Sequence, residues 1–225
     1  MKFSKDTFTV LKNFASINDG IVFRKGNTLR TCDASKQVLA ETTINEDIPS
    51  DFAIFDLNRF LSVLSLHDDN TDIELDSTAK SAYLKSNRKK TEYRLCDLSM
   101  VKNAPEKSIN MPVPDVTFTL TAEDLESTLR SAAVLGAPHI AVKSDGEKIY
   151  VAQLDNKNTS AHTSQTEIAD GNGKKYTMLF KAENMKMIPG TYDVSISFKG
   201  IANFKNKEKN LQYWVATEIG STGEA

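Results

Sequence analysis

The chain has only two cysteines, Cys32 and Cys96, in 225 residues. They stand far apart in sequence, so a disulfide framework is excluded. Two reduced structural thiols are expected, with a single bridge between them as the alternative. No apolar run reaches about 18 residues, so no segment is expected to span a membrane. The chain does not open with a basic stretch followed by an apolar one, so export by a cleaved leader is not expected. Histidine is scarce as well. His67, His139 and His162 are scattered without metal-ligand spacing, and neither a G-x-S-x-G nor a C-x-x-C motif accompanies them. The sequence thus offers no catalytic, metal or cofactor constellation, and a non-enzyme is expected. Neither sign of charge dominates, with 28 basic and 30 acidic residues and a formal net charge of −2. A pI near 6.0 argues against a protein that holds nucleic acid by overall charge. It leaves room for a local basic face on an acidic body.

What is present is the patterning of a folded protein. The hydrophobic share of 40% and the charged share of 26% are ordinary for a globular chain. The length suits one large domain or two of about 110 residues. The stretch SKDTFTVLKNFASIN, from Ser4 to Asn18, reads as a complete amphipathic helix. Ser4 is its candidate N-cap, Asp6 suits the positive end of the helix dipole, and Asn18 and Gly20 end it. At roughly 100° per residue, Phe8, Val10, Leu11, Phe14 and Ala15 share one side, and Lys5, Thr9, Lys12 and Ser16 share the other. The outer face is therefore expected to carry lysines and small hydroxyl residues without acids.

Strand signals follow. GIVFRKGNTLRTC predicts two short strands about a Lys25-Gly26-Asn27 turn, and KQVLAETTI a third. FAIF leads into DLNRFLSVLSLH, where Leu57, Phe60, Leu61 and Leu64 form a second helical stripe. TDIELD, SAYLKS and TEYRLCD read as strands. Pro105, Pro112 and Pro114 then exclude a helix or central strand between Asn103 and Thr117. The expected organisation is one domain over 1–104, a connector over 105–117 and a second domain over 118–225.

The second half repeats the plan. LTAEDLESTLRSAAVLG predicts a helix capped by Thr121, with Asp124 three residues on and a stripe of Leu125, Leu129, Ala132 and Ala133. HIAVKSDGEKIYVAQL predicts a hairpin turning at Asp145-Gly146. QTEIADGNGKKYTMLF predicts another with a glycine-rich tip, and KAENMKM a short helix stopped by Pro189-Gly190. TYDVSISF and LQYWVATEI are strands. The capping residues Ser4 and Thr121 lie roughly 117 residues apart, a domain-scale duplication of pattern.

Two motif look-alikes fail on their own terms. Asp68, Asn70, Asp72 and Glu74 have EF-hand spacing, but Ile73 occupies the glycine position and Ala79 the position of the bidentate Glu. GNGKK at 171–175 imitates a phosphate loop, but Ile168 replaces the first Gly and Lys175 the Ser or Thr. The basic runs KSNRKK (85–90) and KNKEK (205–209) lack interleaved aromatics, so stacking on single strands is not expected there.

The blocks MKFSKDTFTVLKNFASINDGI, FAIFDLNRFLSVLSL, LTAEDLESTLR and NMKMIPGTY, in that order, resemble those of the sliding clamps of T-even-type bacteriophages. These are the processivity factors of the phage replicative DNA polymerase. The resemblance runs from Met1 to about Val215. It implies an α+β fold of two similar domains, each with two helices packed on an antiparallel sheet. It also implies a closed trimeric ring of such subunits, with the helices lining the hole and the sheets outside. The implied partners are double-stranded DNA held without sequence preference, the replicative DNA polymerase, an ATP-driven clamp loader, late-transcription factors and further copies of the chain. The implied location is the cytoplasm of the infected host cell.

On this resemblance Lys5, Lys12, Arg59, Arg130 and Lys186 are the candidate DNA contacts. The other reading of these residues is ordinary helix-surface charge. The family pattern has a further basic residue one turn beyond Arg130. Ala133 stands there, which implies a weaker grip. The polymerase of such systems docks through a short peptide on a hydrophobic surface. Ile109, Met111 and Val113 in INMPVP are the candidates for that surface, with a plain linker as the alternative. The rival functional reading is a phage structural or assembly protein built of repeated α+β domains.

Overall fold

In the computed structural model, which describes residues 1–68, 70–78 and 80–223, the first helix begins where its cap places it. The Ser4 hydroxyl accepts from the Thr7 N–H at 3.2 Å, and α1 runs from Lys5 to Ile17. Val10, Leu11, Phe14, Ala15 and Ile17 are buried. Full burial of each large side chain contributes about 1.5–3 kcal/mol, so the stripe outweighs the cap, worth about 1. The cap fixes where the helix starts, and the stripe fixes which side is covered.

A second contact anchors this start. Glu46, half-buried, accepts from the Ser4 N–H and from the Thr7 hydroxyl, the latter at 2.6 Å. Burial pushes the Glu46 carboxyl up, but these bonds outweigh it and hold the group below its ordinary value of 4.5. Thr7, only 2% exposed, thereby keeps a partner for its buried hydroxyl.

The chain divides into two compact units, Met1–Ser108 and Ile109–Ala225. In the first, β1 (Ile21–Phe23) pairs antiparallel with β4 (Phe52–Ile54), and β2 (Gly26–Cys32) pairs with β3 (Val38–Ile48). Helix α2 (Leu57–Leu64) buries Leu57, Phe60, Leu61 and Leu64 and packs beside α1. Strands β5 (Asp72–Leu75), β6 (Ser81–Ser86) and β7 (Lys89–Arg94) form an antiparallel meander. Phe3, Phe23 and Phe52 stack in series, with ring centroids 5.8 and 4.5 Å apart. Cys32 is buried, Cys96 is half-buried, and both are free thiols that burial raises above their ordinary pKa.

In the second unit, β8 (Val116–Leu120) leads into α3 (Ala122–Leu135). Thr121 caps α3, and Gly136, in the left-handed region at φ +62°, ends it. Strands β9 (His139–Asp145) and β10 (Lys148–Leu154) form the expected hairpin. The expected hairpin of β11 (Ser164–Asp170) and β12 (Lys175–Lys181) does not form. These strands flank β9 and β10 in the order β11-β10-β9-β12, and β16 (Thr222–Gly223) extends the edge beyond β12. The glycine-rich link crosses the β9–β10 turn instead, with Gly171 N–H donating to Glu147 O and Gly173 N–H to Gly146 O. A Cβ on Gly171 would stand 2.4 Å from Gly146 O, so this glycine serves a close crossing rather than a hairpin tip. Strands β13 (Tyr192–Ser197), β14 (Ile201–Asn206) and β15 (Leu211–Ala216) continue antiparallel from β8 in the order β8-β13-β14-β15.

Two expectations are corrected here. First, the described residues of the second unit form one α-helix rather than two, because KAENMKM forms only a 3-10 turn at Ala182–Asn184. Beyond it Met185 and Met187 are buried while Lys186 between them is exposed, the alternation of extended chain. Pro189 disfavours helical geometry at Ile188. Two buried tyrosines then hold Ile188: its N–H donates to the Tyr213 hydroxyl at 3.1 Å, and its carbonyl accepts from Tyr192. Second, α3 buries Leu125, Thr128 and Ala132, while Leu129 is half-buried and Ala133 exposed. The helix is turned so that small Thr128 and Ala132 face inward, which lets it lie against β9 and β10.

Two stability effects follow from these contacts. Tyr213→Phe leaves the buried Ile188 N–H without an acceptor and should cost about 1–3 kcal/mol in chemical denaturation. Glu46→Gln should cost about 1–2 kcal/mol at neutral pH. Because the folded carboxyl is depressed, its contribution is complete above the ordinary value of 4.5 and lost as the pH falls through the folded value. The two proteins should therefore converge in acid, and a constant gap from pH 7 to pH 3 would contradict the assignment.

Candidate nucleic-acid interface

On α1 the side opposite the stripe is open. Lys5, Thr9, Lys12 and Ser16 are exposed, with Asp6 also exposed at the margin of this arc. The Lys12 ammonium lies 4.8 Å from the centroid of half-buried Phe8, which supports the side chain without neutralising it. The hydroxyls act differently from the ammoniums. Thr9 Oγ1 donates to Lys5 O at 2.9 Å, and Ser16 Oγ donates to Asn13 O at 2.6 Å. Their protons are spent inside the helix, leaving lone pairs that repel an anion. The groups on this face that can donate to an anion are the ammoniums of Lys5 and Lys12.

On α2, Arg59 is exposed, and its Nε lies 3.7 Å from the carboxylate of Asp56, which caps the helix. Ser62 donates back to Asn58 O, repeating the spent-hydroxyl pattern. A cleft of about 440 Å³ separates the start of α1 from the end of α2, lined by Phe3, Lys5, Phe8, Leu64 and His67 among others. His67 is held between Ser86 Oγ and Thr91 Oγ1, each at 2.9 Å. Burial and the charge of Lys89 lower its pKa, which favours the neutral ring.

On α3, Arg130 is exposed but engaged: Nη2 lies 2.5 Å from Glu126 Oε1 at i,i+4 spacing. Glu123, Ser127, Ala133 and Val134 are exposed on the same helix. Arg130 and Glu126 also border a cleft of about 230 Å³ whose floor is Leu125, Leu129 and Met187. Lys186 is exposed on extended chain and belongs to no helical face. The five candidates therefore differ: Lys5 and Lys12 share one helix face, Arg59 and Arg130 each stand beside a carboxylate, and Lys186 stands apart. Sequence reading missed Glu126 and Glu46. The i,i+4 spacing of Glu126 and Arg130 was a visible signal, whereas nothing local announces Glu46.

The remaining candidates are placed as follows. Ile109 and Met111 are half-buried and Val113 is 87% exposed, on a segment without helix or strand before Val116. The basic run 85–90 turns between β6 and β7 and is largely engaged. Lys85 pairs with Glu74 at 2.5 Å, Lys89 donates to Leu66 O, and Lys90 lies over Tyr83. In the run 205–209, Lys207 pairs with Asp193 at 3.1 Å. The EF-hand look-alike places Asp72 and Glu74 on β5, where they meet Lys2 and Lys85. Ala79 of that comparison lies outside the described residues. Among the described residues, no group of three or more His, Cys, Asp or Glu could hold a metal ion.

Comparison with known proteins places the chain in a family. Residues 4–103 match the family described as DNA polymerase processivity factor, and residues 117–219 match the gp45 sliding clamp, C terminal. The sliding clamp of Enterobacteria phage T4 is 34% identical over 99% of both chains. That of Vibrio phage KVP40 is 32% identical over 97% of this chain and 99% of its own. Among solved structures, the proliferating cellular nuclear antigen of Entamoeba histolytica superposes with a TM-score of 0.65 at 16% identity, covering 94% of each chain. The A. fulgidus PCNA bound to the C-terminal region of FEN-1 gives 0.67 at 14% identity, covering 96% of each. The structural likeness carries the fold alone. The family matches and the relatives one-third identical from end to end carry more, and by them this chain belongs to the sliding clamps, the processivity factors of DNA polymerases.

Proposed function

We propose that three copies of this chain close head to tail into a ring around duplex DNA and tether the replicative DNA polymerase of a phage to its template. Sliding clamps are processivity factors rather than enzymes, so the work is mechanical. The observation that carries the reading is the outer face of α1. Two ammoniums stand on a helix whose hydroxyls are turned back on its own backbone, in a protein of net charge −2. Phosphate contacts of this kind position a protein without reading sequence. Each adds salt-dependent affinity, with a slope of about −0.9 per contact, so a ring that must slide needs few of them.

Head-to-tail contact between unlike surfaces gives a closed ring when the rotation per subunit closes. A ring cannot thread closed DNA unaided, so an ATP-driven clamp loader opens and places it. The polymerase, the loader and late-transcription factors dock through short peptides, and Ile109, Met111 and Val113 supply apolar contacts for them. Lys5 and Lys12 make the principal DNA contacts and Arg59 and Lys186 lesser ones, while Arg130 stands against Glu126. The setting is the cytoplasm of the infected host cell.

Native mass spectrometry should show a species of three times 24.9 kDa. A monomer at high concentration would count against the ring. Replacing Lys5 and Lys12 together by Glu should leave that mass intact. Loader-dependent polymerase run length should fall about tenfold or more, the order expected when a few phosphate contacts are lost. Unchanged run length would remove these residues from the DNA contact.

A further inference from the structure

The two long helices occupy matching places in their units but differ in charge. Each begins at a hydroxyl cap, on Ser4 and Thr121, and each leaves one side to solvent. The open side of α1 presents Lys5 and Lys12, with one carboxylate, Asp6, at its margin. The open side of α3 presents one guanidinium, Arg130, against the carboxylates of Glu123 and Glu126. Glu123 and Asp124 lie in the first turn, where the helix N-terminus itself favours acid. Glu126 lies beyond that turn, so capping does not require it. Its carboxylate sits 2.5 Å from Arg130 Nη2, with both side chains about 70% exposed. It engages one nitrogen, Nη2, of the donor fork that a phosphate would use.

We propose that Glu126 is a grip-limiting residue, which holds the Arg130 guanidinium away from DNA phosphates so that α3 presents no net positive charge to the duplex while α1 makes the contacts. This deepens the ring reading and rests on it. A phosphate approaching Arg130 must displace Glu126, and its charge then meets the freed carboxylate at close range. Glu123 stands two turns away, about 10 Å along the helix and beyond the Debye length of about 8 Å at physiological salt, so its repulsion is largely screened. Ala133 and Val134, one turn beyond Arg130, add no donor. A ring that makes and breaks every contact at each step moves faster when such contacts are withheld. Glu126 is thus a positioning residue acting through Arg130 and need not touch DNA itself.

The test uses full-length rings placed on nicked circular duplex by a clamp loader with ATP, and reads one-dimensional diffusion by single-molecule tracking at about 50 and about 200 mM salt. Glu126→Gln should diffuse several-fold more slowly than the unaltered protein at low salt and converge with it at high salt. Arg130→Gln should diffuse like the unaltered protein. The double variant should also do so, because the slowing requires a freed Arg130. Lys12→Gln should diffuse faster. Glu126→Gln that moves like the unaltered protein at low salt, or a double variant that stays slow, would overturn the inference. So would an Arg130→Gln effect as large as that of Lys12→Gln. The ring reading is judged separately, by whether the unaltered protein stays on circular DNA and leaves when the circle is cut. Loss of that behaviour would overturn both, whereas its presence with an unchanged Glu126→Gln would overturn only the role of Glu126.

Discussion

The orientation of α1 depends on one half-buried carboxylate, Glu46. An apolar stripe alone tolerates a range of helix rotations, because neighbouring positions of similar size can exchange places at modest cost. The bonds from Ser4 N–H and the Thr7 hydroxyl to Glu46 remove that freedom. Thr7 is almost fully buried, and an unpartnered hydroxyl there would cost about 1–3 kcal/mol. Rotating the helix by one residue would carry Thr7 away from Glu46 and bring lysine stems toward the core. The charge pattern on the open face is therefore set by a polar contact on the covered face.

That open face shows how a weak anion surface can be built without weakening the helix. Thr9, Ser16 and Ser62 have poor helix propensity when their hydroxyls compete for the backbone. Here each hydroxyl bonds a carbonyl three or four residues back along its own helix. The side chains are short, so nothing bulky stands between the helix and a passing polyanion. Two lysines then supply flexible point charges that lack the bidentate fork of arginine. Arginine on these helices instead stands beside a carboxylate, with Arg59 near Asp56 and Arg130 near Glu126. Each arginine, the stronger phosphate ligand, thus has a carboxylate beside it.

Much of this was legible in the sequence, and the failures share a cause. The bounds of α1, α2 and α3 follow from caps and apolar spacing, which are local, and so does the β9–β10 hairpin from its Asp-Gly turn. The segment 182–188 reads as helix because its residues permit one. Beyond the 3-10 turn at Ala182–Asn184 it is extended because Tyr213, from a strand 25 residues on, and Tyr192, four residues on, hold Ile188. The glycines at 171 and 173 read as a hairpin tip because the crossing they permit depends on Gly146 in another turn. Thr128 on α3 reads as polar surface, but small size rather than polarity decides its place against the sheet. At the site the same rule holds. Lys5 and Lys12 were visible as one face, and Glu126 was visible by spacing, but Glu46 reaches α1 across the tertiary fold.

Duplication explains why a charge imbalance between the two helices can persist. Affinity for a polyanion rises exponentially with the number of contacts, since each adds a roughly constant free energy. In the proposed ring every change in one unit is repeated in each subunit, so a single added contact per chain is multiplied around the hole. If both long helices were as basic as α1, the ring would bind far more tightly without being better retained, because closure already prevents escape. Adhesion beyond what centres the duplex only slows movement. Two repeats with the same fold can divide the task, one supplying contact and the other clearance. The fold does not resist this division, because capping and the apolar stripe leave the charges on the open face of each helix free to differ.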